Sequence, residues 1–380
     1  MLTRVLMLLL PASLVGASAL ANAQALPEGP GKQAVQSDCT ACHELSRVTN
    51  AGHSLEDWKT VLNMMVNVGA PLPRSDIDQV AEYLAKNFPE KPQPAAVLIP
   101  GSVEVSFKEW VVPTPGSRPH DPLAAPDGTL WYSGHMGNLL GHLDPNTGRF
   151  KEYHPKTAAS GPHGLVLDKD GDVWYTGNFK GYIGKLDPKT GDFTEYQLPD
   201  PAARDPHTPL FDQKGMLWFT VQSGNIVGRL NPQTGEIKLA SIDPVTMEIH
   251  EYVLPNPASR PRRIAITPDD VIYYSDYSRG YLGRFDPKTG QMSEWPSPGG
   301  DKSLPYAITY LNGAIWYVES GVKPNALVRF DLATQKFQTW GIPSGGGVVR
   351  NMMPTKDGNL AIAESGVNRV AIAEIAKKTN

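Results

Sequence analysis

The sequence predicts a multidomain exported protein, in which a small all-α domain is followed by an all-β propeller. Three observations predict this architecture: an apolar segment opens the chain, the only two cysteines lie at positions 39 and 42, and tryptophan-containing motifs recur after residue 103. The expected boundaries are residues 1–25 for a signal peptide, 26–90 for the helical domain, 91–102 for a linker and 103–380 for the propeller.

Residues 1–25 have the three-part pattern of a cleaved secretory signal. Arg4 precedes an apolar run at residues 5–10, and small residues lead to Ala23 and Ala25, the two expected cleavage positions. The alternative is an uncleaved membrane anchor, which would need about 20 apolar residues without the interruption at Pro11. We therefore expect a soluble periplasmic protein with no transmembrane segment in the mature chain.

The two cysteines stand in the sequence Cys39-Thr-Ala-Cys42-His43. In an oxidising compartment two thiols can form a disulfide, but the adjacent histidine narrows the interpretation. Cys-x-x-Cys-His is the attachment sequence of c-type haem, in which both thiols bond the porphyrin and the imidazole ligates the iron. A thioredoxin-like pair and a zinc site are the alternatives, and a zinc site would need further ligands. The motif predicts one covalent haem c, with His43 as an axial iron ligand.

Residues 54–88 predict two helices that could enclose a flat apolar cofactor. Ser54 with Asp57, and Ser75 with Asp78, have the spacing of N-terminal caps. Apolar residues then recur at helical spacing in both segments.

This region resembles the small monohaem cytochrome c domains that are appended to periplasmic dehydrogenases. The resemblance covers residues 31–88 and rests on the Cys-x-x-Cys-His motif, Trp58, a methionine before Gly69-Ala70, and Tyr83-Leu84. It implies that Met65, or alternatively Met64, is the second axial ligand. A thioether opposite a histidine leaves no open iron position, which favours electron transfer over oxygen chemistry.

Prolines at 89, 92, 94 and 100 predict a stiff, extended linker. Beyond it, a Gly-x-x-Trp-Tyr-Thr type of motif repeats with a period of about 43 residues, which is typical of a β-propeller. The copies begin at residues 128, 171, 215, 270, 313 and 358.

The first five copies continue into a hairpin tip of the form Leu-Asp-Pro-x-Thr-Gly, decayed in the fifth, and then an outer strand. A second tip at residues 242–247 lengthens the third unit, whose outer strand is expected at residues 249–252. The segment 107–110 resembles an outer strand without a core before it, and the last core lacks one after it. We expect the two to pair and close a ring of six blades; seven blades are the alternative.

The repeats resemble those of the virginiamycin B lyases (streptogramin lyases), and the resemblance spans nearly all of residues 103–375. It implies an elimination reaction that opens a cyclic lactone, using magnesium, a histidine and a glutamate. The best counterparts of the glutamate are Glu319 and Glu364, but Gly321 and Gly366 stand where the histidine is expected.

One repeat position carries polar side chains in all six units, ten or eleven residues before the core aromatic position: His120, His163, His207, Arg262, Tyr306 and Arg350. Equivalent positions of a propeller form a ring, so we expect these six residues to surround the channel as candidate catalytic residues. They suit an anionic oxygen or a divalent metal; the alternative is that they hold loop carbonyls.

A second such position, four residues after the core aromatic, holds His135, Asn178, Gln222, Tyr277, Ser320 and Ser365. The other histidines, which are expected to lie at the surface or in packing, are His53, His142, His154 and His250.

Charge argues against nucleic acid as a partner, because 35 basic and 39 acidic residues are mixed without a basic run. Two functions are consistent with the sequence. In the first, the haem transfers electrons to a periplasmic redox partner while the propeller binds a small-molecule substrate. The alternative is a carbon–oxygen lyase with the cytochrome as an accessory domain.

Overall fold

A computed structural model describes residues 26–201, 203–223, 226–240 and 252–377. The expected signal peptide (1–25), the second tip at 242–247 and His250 therefore lie outside the described residues. Four α-helices come first: α1 (Lys32–Ser37), α2 (Ser46–Thr49), α3 (Leu55–Asn67) and α4 (Ile77–Asn87). Among the described residues, no helix combines the length and the apolar character that crossing a bilayer requires.

The two predicted helix caps have different outcomes. The Ser54 hydroxyl accepts a hydrogen bond from the Asp57 amide at 3.2 Å, so the cap of α3 is confirmed. The prediction for Ser75 is wrong, because a 3₁₀ turn at Arg74–Asp76 precedes α4 and Asp76 occupies the cap position. Ser75 lies inside that turn and donates to the Asp76 carboxylate instead.

The helical domain has its own core, in which α1 and α3 pack against α4. Val35, Leu62, Ala81 and Leu84 are almost completely buried there. The chain enters α1 close to α4, since a Cβ atom on Gly31 would lie 2.9 Å from the Tyr83 Cβ atom. Such small domains bury little surface, and this packing is what positions the cysteine motif.

The propeller has six four-stranded antiparallel sheets, which we number as blades one to six along the chain. Blade one consists of β2 (Pro119–Ala124), β3 (Leu130–Gly134), β4 (Leu139–Asp144) and β5 (Arg149–Tyr153). Blade two consists of β6 (Pro162–Leu167), β7 (Val173–Gly177), β8 (Tyr182–Leu186) and β9 (Phe193–Gln197). Blade three consists of β10 (Pro206–Phe211), β11 (Leu217–Val221), β12 (Ile226–Leu230) and β13 (Ile237–Ala240).

Blade four consists of β14 (Pro261–Ile266), β15 (Ile272–Asp276), β16 (Tyr281–Phe285) and β17 (Met292–Pro296). Blade five consists of β18 (Pro305–Leu311), β19 (Ala314–Glu319), β20 (Ala326–Asp331) and β21 (Phe337–Gly341). Blade six consists of β22 (Val349–Pro354), β23 (Leu360–Glu364), β24 (Arg369–Lys377) and β1 (Val103–Val111).

Blade six confirms the predicted closure, because β1 is its outer strand and pairs with β24 along nine residues, with Phe107 opposite Ala373. The six-bladed prediction is therefore confirmed, and the described residues form no seventh sheet.

The recurrent glycine of the third strand of blades one to four has a packing reason. A Cβ atom on Gly184 would lie 2.1 Å from the Tyr175 ring, and the same holds for the pairs Gly141–Tyr132, Gly228–Phe219 and Gly283–Tyr274. Each second-strand aromatic thus packs directly against the neighbouring backbone, inside the blade.

In blade three the fourth strand of the described sheet is β13, directly after the first tip. The outer strand predicted at residues 249–252 lies, up to residue 251, outside the described residues.

Residues 91–102 are extended but not a free spacer. The Lys323 amide donates to the Pro94 carbonyl oxygen at 2.9 Å, and the Thr339 amide donates to the Ile99 carbonyl oxygen at 3.0 Å. The segment therefore lies against blade five and ties the helical domain to the propeller.

Candidate functional site

The inner strand of every blade carries an irregularity at the ring position. The pairing register with the second strand shifts between the first residue and the fourth in blades one to five, and between the first and the third in blade six. The six ring residues are each the second residue of their strand, inside this bulge. Because a bulge re-aims side chains and frees backbone groups, it explains how one repeat position points into the channel.

Four blades satisfy the freed amide with a hydroxyl from the repeated Trp-Tyr-Thr motif. Thr176 Oγ1 accepts from the Gly164 amide at 2.9 Å and donates to the His207 carbonyl oxygen at 2.9 Å. Ser133, Thr220 and Ser275 accept from the equivalent amides at 3.0–3.3 Å. The inner loops are thus held by residues outside the ring.

The second polar position directly follows the second strand of every blade. Its backbone amide donates to the carbonyl oxygen two residues before the ring residue in all six blades, at 3.1–3.3 Å. This repeated bond fixes both positions at the same end of the channel.

Four imidazoles form a cluster in blades one to three. The ring centroid of His163 lies 3.8 Å from that of His120 and 3.9 Å from that of His207, and His135 approaches His120 and His163 at 5.3 and 5.2 Å. Burial lowers the pKa of His120 to about 3, against the opposing effect of Asp121, and burial also lowers the pKa of the other three. All four are neutral at pH 7.

An ion pair crosses the channel next to this cluster. Asp121 Oδ1 lies 2.9 Å from His120 Nδ1 and 3.0 Å from Arg263 Nη2, which comes from blade four. Burial would raise the pKa of Asp121, but Arg263 and His120 hold it well below its usual range. Sequence reasoning missed both residues. Both residues directly follow a ring residue, so they occupy the same position of the repeat and carry opposite charges. A comparison of that repeat position between blades could have found them.

Blades four to six contribute a different surface. The guanidinium carbon of Arg262 lies 5.0 Å from the centroids of both Tyr277 and Tyr306, and that of Arg350 lies 5.8 Å from Tyr306. Arg118, which sequence reasoning also missed, lies close enough to Arg350 for repulsion to add to the effect of burial in lowering its pKa to about 10. It still carries its charge at neutral pH.

The cysteine motif lies on a 3₁₀ turn, Cys39–Ala41, after α1. Cys42 is exposed, while Cys39 is half-buried against the helical core, and both are free thiols. Burial, with a smaller effect of Asp38, raises the pKa of Cys39 to about 11, which is unlike the depressed value of a reactive redox thiol. His43 Nδ1 lies 3.2 Å from the Glu44 carbonyl oxygen. Because a carbonyl only accepts, Nδ1 carries the proton there and Nε2 keeps its lone pair for a metal.

The helical domain docks at the channel mouth. Asn67 Nδ2 donates to the Pro115 carbonyl oxygen at 2.9 Å, and a Cβ atom on Gly116 would lie 2.5 Å from the Met64 amide nitrogen. A crevice of about 550 Å³ remains between the two domains, lined by Met64 and Met65 on one side and by Arg118, Met136 and Arg350 on the other. Met64 is buried and Met65 is half-buried.

Residues 101–248 match the virginiamycin B lyase family model. A streptogramin B lyase structure aligns with a TM-score of 0.64 at 24% identity, covering 72% of this chain and 98% of that chain. The virginiamycin B lyase of Staphylococcus aureus aligns with a TM-score of 0.45 at 24% identity, covering 73% and 90%. A PQQ-bound aldose sugar dehydrogenase from Streptomyces coelicolor aligns with a TM-score of 0.49 at 16% identity, covering 73% and 100%. A search of curated proteins finds no match.

The propeller is virginiamycin B lyase-like. The likeness establishes the fold, while the reaction depends on the site.

Glu319 and Glu364, the best counterparts of the lyase glutamate in this virginiamycin B lyase-like propeller, both accept hydrogen bonds from loop residues. Glu319 Oε1 accepts from the Ser297 hydroxyl at 2.5 Å and the Gly299 amide at 2.7 Å. Glu364 Oε2 accepts from the Ser344 hydroxyl at 2.7 Å. Each keeps one buried oxygen without a partner among the described residues. Burial raises the pKa of both, that of Glu364 to about 8.

Among the described residues of the same propeller, one group could hold a metal ion: His120, Asp121 and His163, whose ligand atoms all lie within 4.8 Å of one another. Two neutral imidazoles and a carboxylate suit a divalent transition metal. Arg263 opposes it, since its charge lies 3.0 Å from the carboxylate oxygen.

The remaining histidines lie away from the ring. His53 contacts Trp58 edge-on at 4.7 Å and also lines the crevice, and His142 lies 4.5 Å from the Trp131 ring. His154 is exposed.

Proposed function

We propose that the chain is an exported c-type haem protein, in which the helical domain binds one covalent haem and the propeller channel holds a small molecule. Cys39 and Cys42 attach the haem, and His43 and Met65 ligate its iron. Bound there, the haem supplies one-electron transfer, and a periplasmic redox partner takes part in the exchange.

The observation that carries this proposal is the crevice that joins the two domains. Met65 lines it together with the ring residue Arg350 and the second-position residue Ser365. A ligand in the channel mouth would therefore lie next to Met65, one of the residues that would hold the haem. The residues of the motif fit the group, since the thiols are free and His43 Nε2 keeps its lone pair.

The chain's own residues have distinct tasks in this proposal. His43 is oriented by the Glu44 carbonyl oxygen, and the contacts of Asn67 and Gly116 hold α3 over the mouth. The arginines of the mouth orient an anionic or carbonyl group of the small molecule.

The test is a double variant, Cys39→Ala with Cys42→Ala, expressed with its signal peptide. The purified wild type should stain for haem on a denaturing gel, and the variant should not. Adding candidate substrates to the wild type, while recording the haem spectrum, then reports electron transfer. A haem-free wild type would refute the proposal.

A lyase is the second candidate, and the comparisons with known proteins favour it over electron transfer for the propeller itself. The specific observation in its favour is the group His120, Asp121 and His163. This function predicts metal-dependent opening of a streptogramin-type lactone, which His163→Ala abolishes. Product detected equally with a chelator present, or no product at all, would argue against it.

The periplasm is the proposed location, on the evidence of the sequence of residues 1–25. A Cys-x-x-Cys-His motif that follows residues with the pattern of an export signal supports it. Fractionation of cells that express the full chain tests the location directly.

A further inference from the structure

We infer that Arg118, Arg262 and Arg350 form a binding site for a carboxylate that is attached to an apolar body. The inference deepens the proposed function, because it names the chemistry that the channel mouth takes.

The first argument is that the three guanidinium groups are not neutralised. Within the described ranges, none of them has a carboxylate within ion-pair distance, and the Nε atoms of Arg262 and Arg350 are buried without a partner. Four other propeller arginines are paired, at 2.6–3.3 Å, by a carboxylate: Arg263, Arg279, Arg284 and Arg329. A half-buried cation without a counter-charge costs free energy that an anionic ligand recovers.

The second argument is that the three groups are neighbours. The guanidinium carbons of Arg262 and Arg350 lie 5.0 and 5.8 Å from the ring centroid of Tyr306, so Arg262 lies next to the crevice although it does not line it. Arg118 and Arg350 line the same crevice and repel each other. Guanidinium groups bind carboxylates through paired N–H bonds, so adjacent arginines can hold one carboxylate or two.

The third argument concerns the rest of the ligand. Val61, Met65, Met136 and Val348 line part of the crevice; its other lining residues include Asp57, which accepts from Ser54, and Glu90, which is paired with Lys323. Its volume of about 550 Å³ is ordinary for a site that encloses a small organic molecule. An inorganic anion would leave this apolar wall in contact with water, whereas an acid with an apolar body would cover it.

The carboxylate has two sources that share this chemistry, a free organic acid or the propionate groups of the haem itself. The probe is benzoate, titrated calorimetrically into the wild-type holoprotein and into the haem-free Cys39→Ala/Cys42→Ala variant. Binding to both identifies a free acid as the ligand. Binding to the haem-free protein alone identifies the propionates.

The variants Arg118→Gln and Arg350→Gln should each weaken benzoate binding at least about tenfold, which is the loss expected for one charge-assisted bond. Arg149→Gln, at an exposed residue of β5, is the matched control and should bind as the wild type does. Arg350→Lys, which keeps the charge, should bind with an intermediate affinity. A circular dichroism spectrum of each variant shows whether that variant folds.

Inorganic phosphate and neutral benzamide should each bind at least about tenfold more weakly than benzoate. The inference is overturned if benzoate binds neither protein, if phosphate binds as tightly as benzoate, or if the two glutamine variants bind like Arg149→Gln. The haem stain is read separately, so a wild-type protein that lacks haem but still binds benzoate refutes the proposed function alone.

Discussion

Individual side chains make the channel electrically asymmetric. Burial keeps His120, His135 and His163 neutral, while the arginines of the opposite blades remain charged across the ordinary pH range. The neutral imidazoles in one half of the channel can thus accept hydrogen bonds or bind a metal ion, whereas the guanidinium groups in the other half can only donate hydrogen bonds.

The choice between the two methionines is a residue-scale prediction. If the protein is the proposed haem protein, Met65→Ala should abolish the weak near-infrared sulfur-to-iron band and lower the reduction potential, because a thioether ligand stabilises reduced iron. Met64 is buried where α3 meets the propeller, so Met64→Ala should leave the band in place and cost stability instead. The opposite pair of spectra would assign the ligand to Met64.

A second residue-scale prediction concerns Glu364 and pH. Burial raises its pKa to about 8 from an ordinary value of 4.5, so the folded state keeps a proton that the unfolded chain releases. Its contribution to stability is therefore present below pH 4.5 and is lost as pH rises towards 8. Between pH 5 and pH 8 the free energy of unfolding of the wild type should fall by about 2–4 kcal/mol more than that of Glu364→Gln.

Urea unfolding at both pH values measures this difference. Glu104→Gln, at an exposed strand position, is the control and should keep the wild-type slope. Equal slopes in Glu364→Gln and in the wild type would contradict the raised pKa.

Sequence reasoning could identify ring residues because each blade repeats one backbone position. It could not identify the partner of Asp121, since Arg263 is paired by the curvature of the whole ring and not by the repeat. Arg118 was missed because only Arg260 repeats its chemistry at the equivalent loop position, where the other blades have Gly161, Asp205, Leu304 and Val348. Aligning the repeats identifies equivalent positions, whereas contacts between different positions become visible only in the folded structure.

At the scale of elements, the bulged inner strand positions the site. Its freed amide needs an acceptor, and the hydroxyl at the end of the repeated motif supplies one in blades one to four. The motif was recognised in the sequence as a strand marker. Its hydroxyl role was not, because the amide becomes free only when the neighbouring strand bulges.

Thr176→Val tests this role. Thr176 is completely buried and bonds both the Gly164 amide and the His207 carbonyl oxygen, so the variant leaves two polar groups without partners. We expect the free energy of unfolding to fall by about 1–3 kcal/mol in urea titrations. Thr176→Ser keeps the hydroxyl and should stay much closer to the wild type; equal losses in both variants would assign the effect to the methyl group.

Element boundaries were less predictable than the elements themselves. Ser75 has the cap spacing, but one additional 3₁₀ turn moved the start of α4 to Ile77. Local sequence favours several starts within a turn of each other, and tertiary packing selects among them.

At the scale of the whole molecule, six blades place the first opposite the fourth, and this geometry lets Asp121 and Arg263 meet across the axis. The helical domain then covers one end of the same channel. Both features depend on ring size, which the sequence predicted through its repeat count.

The pair across the axis predicts non-additive stability. Arg263→Met leaves the Asp121 carboxylate buried without its cation, and the free energy of unfolding should fall by about 3–5 kcal/mol. Adding Asp121→Asn should recover about 1–3 kcal/mol of that loss. The measurement is urea unfolding of the wild type, the two single variants and the double variant, with a chelator present to remove any contribution from metal. Strictly additive losses would contradict the coupling.

The pairing of β1 with β24 has a consequence for the order of assembly. Phe107 and Ala373, which face each other in it, are roughly 270 residues apart in the chain, and closing a loop of that length costs ~5 kcal/mol of chain entropy. Blades one to five can form from neighbouring hairpins as the chain emerges, but blade six must wait for the last residues to be synthesised. Arg350 and Ser365 belong to blade six or directly follow one of its strands, so the mouth of the channel is the last part of the propeller to take shape. A chain that stalls before this final step would have most of its sheets but not the complete mouth of the channel.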